Sequence, residues 1–572
     1  MKVASHKIIL IFFLVSVLGC TTSMTTDPTP VTTTKRVIID EPGEKGNRRT
    51  NNFRNTVITQ ASNLTELRLN GQAVFSTPFN VYDGLGDGPS NPSNRKEPGG
   101  RLTLPAFPSY ENNPGEGNRF FLRVNGLDSQ TCLECHSIVD NSKVPAIFGV
   151  GGVGGASATA FPMASILETT NPNPTNSGAA TYDGRVINPP FVFGSGGVEL
   201  LAKEMTAMLQ KQLAEAPMIP NKPIKLKTHT VDFGSVFWKP VAGGLKEPEL
   251  IATKTNCDRM SAEPEATSKK TRLGKLLKRK LAKLRHFIAI TKAPHIYSDG
   301  KHFGEYAEMK ERQATLVLDT TNLKGIDGDL VVKPFGRKGN NITTRDFDCG
   351  AIRFHMGMEP VEIVGQDVDH DGDGVKNEVT ISEMSALVIY NTTTHRPRQA
   401  VYSGNGAQMF AQIGCDNCHI PVMRTKKHHL PYQQPEQPKA PFSAQNQYYQ
   451  VDLINSSANF EADPANSGGM LVKLFSDLKR HDMGPRLQES LTGADDKANR
   501  AFITARLWGL ADTAPYLHDG RATTITEAIK WHGGEAEEAK QKFVLLPATD
   551  KEELLNYLRT LHAPTPEQLI IQ

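Results

Sequence analysis

The chain has 572 residues, of which 38% are hydrophobic and 22% charged, with 64 Lys and Arg against 61 Asp and Glu. This ordinary globular composition excludes a wholly disordered chain, a collagen-like chain and a small disulfide-stapled scaffold. The length predicts two to four domains. A net charge of +3 gives no general attraction for nucleic acid, so no nucleic-acid partner is expected. Only the N-terminus is apolar enough to meet a membrane, so the body is not predicted to be polytopic.

Residues 1–19 have the pattern of a secretory signal, with a short basic segment before an apolar run from Ile8 to Leu18. Cys20 follows at the position of the acylated cysteine in a bacterial lipobox. The alternative is an ordinary signal peptide with an incidental cysteine. Residues 20–54 are predicted to be a flexible tether because they begin with a Thr- and Pro-rich stretch. We therefore expect a periplasmic protein with a lipid anchor at Cys20, placed in the outer membrane because Thr21 rather than Asp follows the cysteine.

Two segments, 132–136 and 415–419, have the sequence Cys-x-x-Cys-His, which attaches c-type haem. The two thiols add across the haem vinyl groups, and the histidine binds the iron. The residues are Cys132, Cys135 and His136 in the first segment, and Cys415, Cys418 and His419 in the second. Zinc is the main alternative, but a zinc site needs a second Cys/His pair nearby, and none lies close to Cys132. The sequence therefore predicts two covalent haems with His136 and His419 as proximal ligands.

Residues 367–378 match the calcium loop of an EF-hand. Its carboxylates occupy loop positions one, three, five, seven and twelve, as Asp367, Asp369, Asp371, Asp373 and Glu378. Gly372 occupies position six, where the loop turns sharply. Because residues 361–364 have an extended pattern, we expect a lone calcium loop rather than a paired EF-hand. An acidic surface turn is the alternative.

The two remaining cysteines are Cys257 and Cys349, and an even remainder in an oxidising compartment predicts one disulfide. Two unpaired buried thiols are the alternative. A basic run at 268–286 predicts an amphipathic helix, whose usual role is a solvated face. Apolar spacing predicts further helices over residues 198–216, 383–390, 526–532 and 551–561.

The C-terminal third carries the most specific pattern: Arg-Leu-Trp-Gly-Leu-Ala-Asp-Thr-Ala-Pro-Tyr-Leu-His-Asp-Gly-Arg at 506–521 and Trp-His-Gly-Gly at 531–534. This segment resembles the bacterial di-haem cytochrome c peroxidase superfamily, and more closely its branch of di-haem oxidoreductases, often labelled thiol oxidoreductases. Segments 332–336, 354–358, 406–410 and 481–485 are also similar to that branch. The resemblance covers roughly residues 60 to 565.

The resemblance implies a second ligand for the C-terminal haem. In the peroxidases a methionine binds this iron about fourteen residues after the histidine that corresponds to His518, and here that position holds His532. A His/His haem usually has a lower reduction potential than a Met/His haem. Met483 is the alternative ligand. His518 is expected to orient groups near the haem rather than to bind iron.

The resemblance also implies that the N-terminal haem reacts with the substrate at an open or labile position. Splitting peroxide there needs a nearby acid and base, for which His355 and Glu359 are the candidates. Packing beside the haem is the alternative for His355.

The expected fold is mainly α, with two cytochrome c-like haem domains, long loop-rich insertions and minor β structure. The N-terminal haem domain is predicted at 55–399 and the C-terminal cytochrome c domain at 400–566. The expected function is that of an exported, peroxidase-like di-haem oxidoreductase acting on peroxide or another small substrate. Electrons would pass through the C-terminal haem to or from a small redox protein. The alternatives are a di-haem oxygenase and a purely electron-transferring cytochrome.

Overall fold

The computed structural model describes residues 51–86, 101–102, 120–123, 129–136, 163–169, 180–185, 188–240, 316–489, 496–569 and 571. The predicted signal, Cys20 and most of the predicted tether lie outside the described residues, as do Cys257 and the basic run. None of the described helices is both long and apolar enough to cross a membrane.

The described helices, α1 to α13 in chain order, are Asn51–Arg54, Leu64–Ser76, Cys132–Cys135, Gly196–Glu215, Thr344–Ala351, Val361–Val364, Ile381–Thr393, Gly406–Gln412, Asp496–Arg500, Ile525–Trp531, Glu537–Leu545, Ala548–Leu558 and Pro566–Leu569. A π-helix covers Ile352–Met356, and short 3-10 helices cover Cys415–Asn417, Pro485–Leu487 and Gly534–Ala536.

The described strands, β1 to β16, are Arg101–Leu102, Phe120–Arg123, Met163–Thr169, Ala180–Arg185, Ile224–Thr228, Val231–Pro240, Leu316–Asp319, Arg398–Gln399, Met423–Arg424, His429–Gln433, Gln447–Asp452, Glu461–Asp463, Asn466–Val472, Arg480–Asp482, Ala501–Ile503 and Leu561–His562. Their orders in the sheets are β1-β2-β3-β4, β5-β6-β7, β10-β11, β12-β13-β9, β14-β15 and β16-β8. Neighbouring strands within each sheet are antiparallel.

The expectation of a mainly α, cytochrome c-like fold with minor β structure is wrong. Helices hold 35% of the well-defined residues and strands hold 18%. Most of the strands lie in segments whose sequences resemble loops. Antiparallel neighbours satisfy each other's backbone hydrogen bonds over a few residues, so these strands need no long apolar pattern. Sequence periodicity therefore detects the long helices and misses the short strands.

The four helices predicted from apolar spacing are confirmed as α4, α7, α10 and α12, with shifted ends. The extended conformation predicted for residues 361–364 is wrong, because Val361–Val364 forms the single turn α6. Pro360 precedes this turn, where its missing N–H costs no helical hydrogen bond. The acidic loop 367–378 therefore lies between two helices, α6 and α7.

Two hydrophobic cores stabilise the described part of the chain. The first buries α2, α4 and α7 together with residues from 423 to 478. Helices α2 and α7 approach closely at Gly71, where any Cβ would overlap the backbone carbonyl of Ala386. The second core joins α8, α11 and α12 around Phe410, Phe475 and Phe543. The domain boundary near residue 400 stays a prediction.

Candidate functional site

The second Cys-x-x-Cys-His segment lies on one edge of the second core. Cys415 packs against that core, and burial raises the pKa of its thiol to about 12. The backbone N–H of His419 donates to the carbonyl of Cys415 at 2.9 Å, which closes a tight turn over the 3-10 helix. The two thiols and the imidazole are thus held on one compact turn, as covalent haem attachment requires.

The ring of His419 is fixed by its own hydrogen bond. Its Nδ1 lies 3.0 Å from the carbonyl oxygen of Phe475. Because a carbonyl only accepts, Nδ1 carries the proton and Nε2 keeps its lone pair. Burial, followed by the nearby His532, lowers the pKa of His419 to about 4. His419 is therefore a neutral imidazole with a free basic nitrogen, the form that binds a metal.

His532 repeats this arrangement at the end of α10. Its Nδ1 donates to the carbonyl of Ala528 at 2.8 Å, and burial lowers its pKa. The start of α10 is fixed by a reciprocal capping box between Thr524 and Glu527. The ring centres of His419 and His532 lie 6.4 Å apart, with the planes inclined at 54°. Two neutral imidazoles therefore meet across a narrow gap, each with Nδ1 already bonded.

The other two residues predicted near this haem have different surroundings. The backbone N–H of Met483 donates to the carbonyl of Arg500, and its own carbonyl lies against Gly533, next to His532. His518 stacks on Phe502, with ring centres 4.5 Å apart. Its Nε2 lies 3.9 Å from Glu489 and 3.8 Å from Asp519. His518 is therefore engaged by acidic side chains.

Sequence reasoning missed His481, which lies beside the second motif. Its Nε2 donates to Asp477 and its Nδ1 to Glu535, both at 2.8 Å. Burial opposes the charged ring, but the bond to Asp477 outweighs it and raises the pKa of His481 to about 11. Its Nδ1 also lies 4.0 Å from the sulfur of Cys418. A fixed positive charge is thus held next to the C-terminal motif. Local spacing shows only Asp477, four residues before His481, because Glu535 is 54 residues away.

The first Cys-x-x-Cys-His segment forms α3. The hydroxyl of Thr131 accepts from the backbone N–H of Leu133 at 3.1 Å and donates to the carbonyl of Phe75 at 2.8 Å. The motif is therefore anchored to α2. The N–H of His136 donates to the carbonyl of Cys132 at 2.8 Å, the same closure as in the second motif.

The ring of His136 is held less firmly than that of His419. Its buried Nδ1 makes no hydrogen bond of standard geometry among the described residues, although the backbone of Pro190 lies near enough to favour its protonated form. Burial, followed by the nearby His355, lowers the pKa of His136 to about 3. The structure thus brings the predicted acid/base His355 close to the predicted proximal ligand. His355 lies on the π-helix. This conformation is rare in proteins overall, but where it occurs it is often at a functional site.

Asp348 is a second buried group near the first motif. Burial raises its pKa to about 8, and its carboxyl accepts from the amide of Asn391 at 3.0 Å. Burial raises the pKa of the Cys132 thiol, and the charge of Asp348 adds to this effect. Asp348 also lines a small cavity that aromatic residues line as well. The sequence does not indicate that Asp348 is buried here, because its contact with Asn391 depends on the packing of α5 against α7.

Glu359, predicted as a catalytic residue, lies instead in a cluster of buried carboxylates. Oxygens of Glu359, Asp371 and Glu378 lie within 4.8 Å of one another, and those of Asp369, Asp371 and Asp373 form an overlapping group. Burial, followed by the charge of Asp371, raises the pKa of Glu378 to about 10. Close buried carboxylates repel each other unless a cation or protons neutralise them.

The loop around this cluster is closely packed. The backbone N–H of Glu359 donates to Glu378 at 2.7 Å. Gly84 lies directly over Glu378, with a left-handed φ of +92° and no room for a Cβ. Asp367, the predicted first ligand, belongs to neither carboxylate group among the described residues, and its carboxylate instead accepts from the amide of Asn377 at 2.9 Å.

Cys349 is buried on α5, and its thiol donates to Glu362 at 2.7 Å. Its predicted partner Cys257 lies outside the described residues. The disulfide between them therefore stays a prediction.

Two Cys-x-x-Cys-His turns, one facing a second neutral histidine, are typical of proteins that hold haem. Residues 465–561 match the family described as "Di-haem oxidoreductase, putative peroxidase". This match confirms the resemblance to the di-haem oxidoreductases over that segment. The matched segment contains His481, His518 and His532 but neither Cys-x-x-Cys-His motif. A comparison with curated proteins finds no match.

Proposed function

We propose that the protein is an exported di-haem c-type oxidoreductase that reacts with peroxide at its N-terminal haem and exchanges electrons through its C-terminal haem. Membership of the matched segment in a di-haem family supports haem cofactors and peroxidase-like chemistry. In the proposal, Cys132 and Cys135 hold one haem, and Cys415 and Cys418 hold the other.

The observation that carries the proposal is the distance between His419 and His532. A metal ion lies about 2 Å from a coordinating imidazole nitrogen. Adding the distance from that nitrogen to the ring centre, two imidazoles on opposite sides of one iron have centres about 6 Å apart. The separation of 6.4 Å fits this arrangement. A backbone acceptor at Nδ1 leaves Nε2 of each ring to bind iron, as is usual for metal-binding histidines.

His355 supports a different role for the N-terminal site. Bound haem iron supplies electrons one at a time and an open position for a small oxygen-containing ligand. In the proposal, His136 would hold this iron. His355 then accepts a proton from the incoming peroxide at a ring nitrogen and returns it to the departing oxygen. Phe354, whose ring centre lies 4.9 Å from that of His355, limits the orientation of the imidazole.

The acidic cluster supports a calcium site next to His355. The proposed ligands come from loop 367–378 and its flank: Asp369, Asp371, Asp373, Glu378 and Glu359. Calcium prefers six to eight oxygen ligands, and carboxylates are the commonest in such loops. Glu359 takes the place of a ligand that the sequence pattern assigns to Asp367. Because Glu359 is four residues from His355, bound calcium fixes the segment that carries the proposed acid/base.

The surface beside His532 supports exchange of electrons with a partner protein. The exposed Arg486 and Arg521 flank the ring of Trp531, with their guanidinium carbons 4.5 Å and 4.9 Å from its centre. Arg521 also pairs with Asp519, whereas Arg486 forms no ion pair among the described residues, so this surface suits a small acidic redox protein chiefly through Arg486. The proposal includes export and a lipid anchor at Cys20, on the sequence pattern described above.

The test is the purified protein's consumption of hydrogen peroxide with a reduced electron donor. We expect turnover that depends on the donor and falls by about a hundredfold or more in His355→Gln, in line with the loss of a general acid/base. His428→Gln is the matched control, because the partly exposed imidazole of His428 bonds to Asp452 and has no part in the proposed haem or calcium sites. Incorporation of oxygen from O2 into an organic product would favour the oxygenase. Absence of both reactions would leave an electron carrier.

A further inference from the structure

Arg506 is a cation held in an aromatic setting. Its guanidinium lies between Phe335 and Trp508, with ring centres 5.5 Å and 5.4 Å from its central carbon. Its Nη1 donates to the carbonyl of Pro334 at 3.1 Å and its Nη2 to that of Phe191 at 2.9 Å. Burial lowers the pKa of Arg506 to about 10. The side chain is therefore firmly positioned and substantially dehydrated.

This guanidinium has no anionic partner among the described residues. Its buried Nε has no hydrogen-bond partner, and no carboxylate forms an ion pair with Arg506 among the described residues. A dehydrated charge without a counter-ion is costly, and buried charges are almost always paired. Every other ligand of this side chain is a neutral carbonyl. The chemistry that completes the site is therefore a carboxylate, which a guanidinium binds through its Nε edge.

The position of Arg506 indicates where that carboxylate comes from. Arg506 lines the small cavity together with Asp348 and Phe191. The charge of Asp348 raises the pKa of the Cys132 thiol. The backbone of Pro190, the residue before Phe191, acts on the pKa of His136. The cavity therefore adjoins the N-terminal motif. The next residue in the chain, Leu507, packs against the second core, as Cys415 does.

We propose that Arg506 binds a propionate carboxylate of the N-terminal haem. A haem carries two such carboxylates, and the cavity beside the first motif holds the one cation that meets them among its lining residues. Arg506 is a positioning residue: it would neutralise a negative charge near the iron and hold one edge of the haem. This inference rests on the proposed function, because it requires a bound N-terminal haem.

The test compares the reduction potential of each haem, measured by spectroelectrochemical titration, in the full-length holoprotein and in Arg506→Gln. Loss of the cation leaves the propionate charge uncompensated, which favours the ferric state. We expect a tenfold or larger shift of the N-terminal haem toward the oxidised form, equivalent to about 59 mV for one electron. The C-terminal haem should stay within a few-fold of wild type. Arg506→Lys, which keeps the charge, should restore most of the potential.

Arg396→Gln is the matched control. Arg396 also lies over an aromatic ring, that of Phe460, and donates to a carbonyl, but it already pairs with Glu461. It should leave both potentials unchanged. Arg506→Met, which keeps the unbranched stem between the two rings, serves if the glutamine variant does not accumulate.

Three outcomes separate the claims. A protein that carries two haems whose potentials are both unchanged in the neutral variants overturns the role of Arg506 and leaves the proposed function standing. A shift confined to the C-terminal haem overturns the assignment to the N-terminal haem. A wild-type protein without covalent haem contradicts the proposed function itself.

Discussion

The two Cys-x-x-Cys-His segments have the same local turn but different surroundings. At the second, His419 donates to Phe475 and faces His532, whose Nδ1 is also bonded. At the first, Nδ1 of His136 makes no standard hydrogen bond among the described residues, and the nearby histidine lies on a π-helix. The motif therefore fixes the local turn, whereas the surrounding packing decides how firmly the histidine is held. A site held from both sides suits electron transfer, and a less constrained one suits reaction with a ligand.

The largest expected effect is on haem content. Replacing Cys415 and Cys418 by Ser should halve the covalent haem per chain, and the same change at Cys132 and Cys135 should also halve it. The reason is that serine cannot form the thioether bonds. The measurement is the haem-to-protein ratio after denaturation. Cys349→Ser is the control, since this buried thiol bonds to Glu362 and should not affect haem. An unchanged ratio in either double variant would refute two separate attachment sites.

The second effect concerns the closed C-terminal site. His532→Ala removes one of the two proposed ligands of this iron, so its spectrum should change from low-spin to largely high-spin. The N-terminal haem should keep its spectrum. Electron paramagnetic resonance of the ferric protein measures both.

Met483→Leu is the control for this prediction, because it tests the alternative ligand and should leave both spectra unchanged. If Met483→Leu changes the C-terminal spectrum and His532→Ala does not, the ligand assignment is wrong.

The third effect concerns the region next to His355. Removal of calcium should lower the melting temperature, by an amount equivalent to about 2.7 kcal/mol if calcium was present at a hundred times its dissociation constant. The spectrum of the N-terminal haem should change more than that of the C-terminal haem. Calorimetry with and without chelator measures the first change, and absorption spectra measure the second.

Two variants sharpen this prediction. Glu359→Gln should abolish most of the stabilisation by calcium, because Glu359 belongs to the buried cluster. Asp367→Asn should retain it, because the carboxylate of Asp367 bonds to Asn377 outside the cluster. If Asp367→Asn abolished the stabilisation and Glu359→Gln retained it, the calcium ligands would be those that the loop pattern predicts.

The last effect is a pH dependence at the N-terminal site. The pKa of Asp348 is about 8 in the folded protein and about 4 in an unfolded chain. Between these values the folded state binds a proton that the unfolded state has lost. The free energy of unfolding therefore falls as pH rises through this window, by at most about 1.4 kcal/mol per pH unit.

Asp348→Asn removes this titration, so its stability relative to wild type should increase from pH 4 to pH 8 and then level off. Denaturant unfolding at several pH values measures the difference. A constant difference across this range would mean that Asp348 is not protonated in the native state.

The attachment turns and the main helices could be predicted from sequence because their signals are local. Cys-x-x-Cys-His spans five residues, and the apolar spacing of α4 repeats along one element. His532 was predicted from its place in a family pattern, and its ring lies near His419. These features depend on covalent spacing and helical periodicity, which a sequence displays directly.

The remaining features depend on contacts between distant segments. The sheets form from short strands without a strong pattern, which is why the mainly α expectation is wrong. Glu359 joins the acidic cluster through its contact with Glu378, which lies 19 residues away in the chain. His481 gains its charge from Asp477 and from Glu535, 54 residues away. Asp477 lies only four residues from His481, but the contact with Glu535 cannot be identified from local spacing.

Titration of the reduced protein with carbon monoxide tests most directly whether the C-terminal haem site is closed and the N-terminal one is open. Carbon monoxide binds ferrous haem only where an iron position is open or its ligand is easily displaced. The account predicts one equivalent bound for every two haems in wild type, and two equivalents in His532→Ala. Binding of two equivalents, or of none, to the wild-type protein would contradict a closed C-terminal site beside an open N-terminal one.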